Sequence, residues 1–206
     1  MLTADLLVLF AFLSPVVMLH DQVSLLTVSP TNSSSESTVY LGVLGSCSRT
    51  SGTSNCTNAT LTPTYDLSAL PDDAPTLLLT APSASTPAFV VISLTFSAVF
   101  LFTFTSISFR HKMGKPGSVL ERPAIQNFSA WIGFLGFFTG LTCFLILRMW
   151  FGKAVDDFNN TITYMGDGAP AVSASVGNAF VMVWVAYAFH SVPIISSLTK
   201  LNVQST

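Results

Sequence analysis

The sequence predicts a mainly α-helical membrane protein, a four-helix transmembrane bundle with a small extracellular β-sheet pinned by a disulfide. Three observations lead there. Charge is scarce: 9% of the 206 residues are charged and 50% are hydrophobic, where soluble domains carry about a quarter charged residues. Too few charges remain to cover a water-facing surface, and an aromatic content of 12% is foreign to disordered chains. The charges are also gathered into short windows, which leaves uncharged runs long enough to cross a bilayer. Finally, two of the three cysteines stand in a polar, Ser/Thr-rich segment between the first two runs. A formal net charge of −2 gives no electrostatic footprint for nucleic acid.

The chain is expected to form one membrane domain over 1–206, with spans at about 2–20, 88–109, 128–147 and 174–195. The last three are uncharged runs of the roughly 20 residues that a helix needs to cross hydrocarbon. The first is shorter, since His20 and Asp21 end the apolar run 6–19 and Asp5 stands just before it. Its flank lacks the Lys or Arg of a secretory signal and no Ala-x-Ala site follows, so a retained helix is expected rather than a cleaved leader.

Orientation follows from the bases. The turn 110–122 holds Arg110, Lys112, Lys115 and Arg122, half of all the Lys and Arg in the chain. Positive loops stay cytoplasmic, so both termini and loop 110–127 are expected inside, with 21–87 and 148–173 outside. Arg110, Lys112 and Lys115 are then placed to meet anionic inner-leaflet lipids, although topology alone also accounts for them. Asn-x-Ser/Thr sequons at Asn32, Asn55, Asn58 and Asn159 all fall in the outer segments and are glycosylation candidates. Trp131 and the pair Trp150-Phe151 flank the third span as an interfacial belt would.

Cys47 and Cys56 lie in the outer segment, which matures in an oxidising compartment, and a disulfide between them closes a ring through Ser51-Gly52. Cys143, inside the third span, reads as a small apolar filler. Short strands are expected at Gln22–Ser29, Ser37–Gly45 and Thr57–Tyr65, with Thr161–Tyr164 joining from the second outer segment. Gly42 and Gly45 mark positions where another backbone comes close or the strand bends.

The loop Gly42-Val43-Leu44-Gly45-Ser46-Cys47, followed by Cys56 and set among these spans, resembles the fungal PalI family and the related cortical-patch (eisosome) tetraspans. It is also similar to the claudin pattern Gly-Leu-Trp-x-x-Cys with a second Cys, with Gly42, Cys47 and Cys56 on its Gly and cysteines and Leu44 where the Trp would stand. The resemblance implies a non-enzymatic plasma-membrane protein without cofactors, one that assists a multi-span sensor of ambient alkaline pH or organises a membrane compartment in a fungus. The partners it implies are membrane lipids and another integral membrane protein, a sensor or a second copy of the chain. The long cytoplasmic tail usual in PalI-like members is missing, since only about ten residues follow the fourth span. A claudin-like paracellular pore or adhesion protein is the alternative, and a small transporter a more distant one.

Other candidates have simpler readings. Ser129, Gly133, Gly136 and Gly140 recur at helical spacing on one face of the third span, suited to packing inside the bundle or to lateral docking. His190 lies in the fourth span, where a proton relay has no evident second member, and His20 beside Asp21 is better placed as a pH sensor. Zincin, P-loop and nucleophile-elbow motifs and Cys/His metal clusters are absent from the sequence.

Overall fold

A computed structural model describes residues 1–31, 37–71, 73–75, 85–110 and 122–204. Lys112, Lys115 and Asn32 lie outside the described residues. Among the described residues the fold has four α-helices and one sheet. The helices are α1 (Leu2–Leu13), α2 (Ser85–Ser108), α3 (Pro123–Met165) and α4 (Ala179–Gln204). The strands are β1 (Leu26–Pro30), β2 (Thr38–Leu41), β3 (Ser46–Thr50), β4 (Thr53–Cys56) and β5 (Val172–Val176).

Helices α2, α3 and α4 are each long and apolar enough to cross a membrane. Large apolar side chains such as Phe102, Phe138 and Phe189 are exposed on them, which is tolerable when hydrocarbon rather than water surrounds the bundle. The expected span 2–20 is cut short, because α1 ends at Leu13 and Pro15 follows in a run of turns. A proline at that point removes an N–H and clashes with the preceding helical turn. At 12 residues, α1 is about 18 Å long.

The second correction concerns 148–173, expected as an outer loop. Helix α3 runs for 43 residues, about 65 Å, and carries the third span well beyond the width of a bilayer. Pro123 opens it at a first-turn position where no N–H is needed, and Gly166 ends it with a positive φ of 66° that favours glycine. Thr161–Tyr164 is therefore helix and not strand. The reason is the apolar repeat Phe151, Val155 and Phe158, spaced four and three apart and buried in the core. Phe151 belongs to that repeat rather than to an interfacial belt, whereas Trp131 is exposed as such a belt requires.

The sheet is antiparallel throughout, in the order β4-β3-β2-β1-β5. Its buried face is built from rows across the strands, Leu41–Leu26–Val176 and Val39–Val28–Ala174. Most of those side chains join one core with Phe151, Val155 and Phe158 of α3. The expected strand Thr57–Tyr65 has no ladder; β4 precedes it, and the fifth strand comes instead from 172–176. The fourth helix also starts late, at Ala179, because 174–176 are spent in β5.

Candidate functional site

The sheet module, placed outside the membrane by the expected topology, is built around one hairpin. Strands β3 and β4 pair with Cys47 directly opposite Cys56, and the two are joined as a disulfide with S–S 2.00 Å. Ser51 and Gly52 form the two-residue turn, with φ 50° and 83°, the positive pair that matches strand twist in a hairpin. Gly42 touches the end of α1: a Cβ there would collide with the Ser14 carbonyl and the Pro15 ring. Only glycine permits that approach, which seats the sheet on the first helix. The Ser14 hydroxyl donates to the Val23 carbonyl and tightens the same junction.

The segment after β4 folds back over this junction. The Tyr65 hydroxyl donates to the Gly42 carbonyl at 3.0 Å, and burial raises the phenol above its usual value. Asp66 is held below the usual carboxylate range by the Ser68 N–H, which donates to it at 3.0 Å. Arg49 and Asp21 form an exposed ion pair at 2.9 Å.

His20 sits beside the disulfide. Its Nδ1 lies 2.6 Å from the Pro15 carbonyl, which can only accept, so Nδ1 carries the proton. The same nitrogen is 3.5 Å from Cys56 Sγ and 3.9 Å from Cys47 Sγ. These three residues bring their ligand atoms within 4.8 Å of one another. The sulfurs are bonded together and Nδ1 is committed to Pro15, so the oxidised group offers no donor set for a metal.

Two asparagines brace the sheet, one from α3 and one from the start of α4. Asn159, on the outer part of α3, donates from Nδ2 to the Ala174 carbonyl and accepts from the Ala174 N–H, both at 2.9 Å. Both ends of that amide are thus spent on the free edge of β5, and a glycan on Nδ2 would compete with the bond. Asn178 accepts from the Ser24 N–H at 3.3 Å and donates to the Gln22 carbonyl at 2.8 Å. Asn55 and Asn58, by contrast, are exposed.

A second polar site lies inside the bundle. Ser129, Gly133, Gly136 and Gly140 of α3 are buried and face α2. Ser129 and Thr103 share a hydroxyl bond of 2.7 Å, the Phe100 ring covers Gly133, and Ser93 donates to the Gly136 carbonyl at 2.7 Å. Ser93 also bonds the Tyr187 hydroxyl, so α2, α3 and α4 are stitched at one level.

One helix turn further along α2, His190 of α4 has a partner at each nitrogen. Nε2 is 3.2 Å from Ser97 Oγ, and Nδ1 is 3.4 Å from Asp5 Oδ1 of α1. The His190 side chain is 5% exposed and that of Asp5 16%. The relay expected to lack a second member therefore has one, 185 residues away along the chain.

No protein-family model matches the chain, and no curated protein is similar to it in sequence. The residues that sequence reasoning missed are Asp5, Ser97 and Tyr187, and Asn159 was read as a sequon rather than as the brace on β5. Asp5 was visible as a lone acid next to an apolar run, and an acid there needs a buried partner if the run is a helix in a bundle. Nothing local marked Ser97 or Tyr187, whose roles depend on which helices become neighbours.

Proposed function

We propose that the protein is a non-enzymatic integral membrane scaffold of PalI type, which supports ambient-pH sensing or the organisation of a cortical membrane compartment at the fungal plasma membrane. The observation that carries this reading is the disulfide-bonded hairpin Cys47–Cys56, with Gly42 seated against the end of α1. Those are the residues on which the resemblance rests. A rigid sheet mounted on a tightly packed bundle is a docking platform.

The reading includes α1 as a fourth crossing, with both termini cytoplasmic. Support comes from its neighbours. Ala4 and Leu7 line a groove of about 500 Å³ with Phe104, Phe189, Val192 and Pro193, near the far end of α4. The other end of α1 meets the sheet through Ser14 and Pro15. Over Leu2–Pro15 the chain thus runs alongside the stretch that α4 covers from Ala179 to Ser196.

A claudin-like pore wants unpaired charge on its outer sheet. Arg49 is the one base in the first outer segment, and it is neutralised by Asp21. Affinity purification of the full chain in mild detergent tests the proposal. A multi-span sensor in the eluate favours the pH role and eisosome components favour the compartment role. Recovery of the chain alone, or only as a polymer of itself, would remove the support for a scaffold of this type.

A further inference from the structure

We propose that Asp5, His190 and Ser97 form an intramembrane proton-binding site, in which one proton shared by the Asp5–His190 pair, together with one water molecule, holds α1 on α4. The proposal needs only the membrane setting of the bundle and stands apart from the choice of partner or family.

The first argument is the location of the charges. An ionised side chain at bilayer depth is costly and is retained where it is paired. Around this pair the options for balancing charge are few. Helix α2 contains no titratable residue, and the membrane part of α3 contributes only the Cys143 thiol. Helix α4 adds the Tyr187 hydroxyl, already bonded to Ser93. Lys200 stands ten residues beyond His190 along α4 and the Met1 amine one turn before Asp5. Among the described residues His190 is the base that faces Asp5, so the pair balances its charge with a proton of its own. Asp5 ionised beside neutral His190 leaves one negative charge in hydrocarbon. One added proton removes it, either as a carboxylic acid beside imidazole or as a carboxylate beside imidazolium. A second proton would create a positive charge with nothing to offset it.

The geometry suits both single-proton forms. The Ser97 hydroxyl at 3.2 Å can donate to a bare Nε2 or accept from a protonated one. The rings of Phe100 and Phe137 flank the imidazole at centroid distances of 6.0 and 6.4 Å and limit its rotation.

The second argument is an unmet acceptor. Asp5 Oδ2 is inaccessible and has no hydrogen-bond partner among the described residues, and such a group is expensive to bury. Asp5 is one of the residues that line a cavity of about 10 Å³, with Ser93, Ser97, Tyr187, His190 and three apolar side chains. That volume takes one water, and the polar lining supplies the two to four partners a buried water needs.

The order Ser97–His190–Asp5 also matches that of a hydrolytic triad. The cavity has no room for an acyl group. The N–H groups near Ser97 lie in the interior of α2, where they are used by the helix ladder and cannot stabilise an oxyanion. Proton binding is the chemistry that fits the space.

The test uses the full chain in lipid nanodiscs, with ¹³C-labelled aspartate and ¹⁵N-labelled histidine followed by NMR as pH is varied. The Asp5 carboxyl and His190 ring signals should move together in a single step, and Asp5→Asn should abolish the His190 part of it. Independent titrations, or a His190 signal indifferent to Asp5→Asn, would overturn the proposal. His190→Gln should lower the folded-to-unfolded ratio at neutral pH at least tenfold by leaving the carboxylate unpaired. Asp5→Asn combined with His190→Gln should recover most of that loss, and a double variant no better than His190→Gln alone would also overturn it. If Asp5→Asn does not fold, Ser97→Ala keeps the charged pair and should preserve the joint step while altering the His190 tautomer; separate steps in that variant count against the site.

Discussion

The outer module and the membrane bundle hold together by opposite means. In the module, partners are near in sequence: Cys47 bonds Cys56 across a two-residue turn, and β1 to β4 pair in chain order apart from the late arrival of β5. In the bundle, partners are far apart: Asp5 meets His190, and Ser93 meets Gly136 and Tyr187. The solvent explains the contrast. The sheet gains by burying Leu26, Val28, Val39 and Leu41 away from water. Around helices long and apolar enough to cross a membrane, lipid would be as apolar as the helices themselves, so close packing and hydrogen bonds must do the holding.

The sharpest way to break the module is to cut its covalent link. Cys47→Ser with Cys56→Ser should cost the outer sheet about 3 kcal/mol, the chain-entropy value for a ring of this size. Hydrogen exchange at the β2 and β3 amides should accelerate strongly while the amides of α2 and of the membrane part of α3 keep their protection. Equal loss of protection in both regions would mean that module and bundle are one cooperative unit.

The bundle should break at a glycine. A Cβ on Gly140 would collide with the Tyr187 hydroxyl and Ser93 Oγ, so Gly140→Ala should cost about 2 kcal/mol by overpacking. Gly152, in the outer part of the same helix, is the control. A Cβ there meets only the far end of the Arg148 side chain, at 2.8 Å, and Gly152→Ala should stabilise by up to about 1 kcal/mol through helix propensity. Thermal unfolding in detergent reads both. Opposite signs in one helix would separate close packing from propensity; a loss at both sites would show that the outer part of α3 is packed as tightly as the membrane part.

The same division decides what could be read from the sequence. The disulfide and its Ser51-Gly52 turn were legible because every participant lies within ten residues. Three long apolar helices were legible from uncharged runs. The length of α3 was not, because Arg148, Lys153, Asp156 and Asp157 mask the Phe151–Val155–Phe158 repeat beneath them, and charge was read as loop. Strand β5 was hidden in what looked like the start of a span, since Val172–Val176 is apolar enough for either. The Asp5–His190 pair was invisible because helix adjacency, not spacing, creates it.

Asn159 lies at the boundary between the two regions. Its amide closes the edge of β5 from the outer part of α3. Asn159→Ala should cost about 1.5 kcal/mol, since it leaves one N–H and one carbonyl of Ala174 without partners. Intact-mass analysis of the chain expressed in a glycosylating host should show no glycan lost in this variant, whereas Asn55→Gln or Asn58→Gln should remove one. A glycan traced to Asn159 would sink the bond as drawn.

The smallest effect tests how far the module depends on the segment after β4. Tyr65 donates to the Gly42 carbonyl, the residue against which Ser14 and Pro15 pack. Burial raises its phenol above the usual value of about 10. In the unfolded chain the phenol ionises near that usual value, and in the folded module it keeps its proton to higher pH. Below about pH 10 both states are protonated and stability does not depend on this group. Above it the unfolded state releases a proton that the folded state retains, so stability falls as pH rises, by up to about 1.4 kcal/mol per unit. Tyr65→Phe cannot ionise; it should cost about 1 kcal/mol at neutral pH through the lost bond and remove that alkaline slope. Hydrogen exchange at the β2 amides, compared between wild type and variant across alkaline pH, reads both terms. Parallel curves would mean that Tyr65 is free of Gly42 in solution and that the segment after β4 adds nothing to the hold of the sheet on α1.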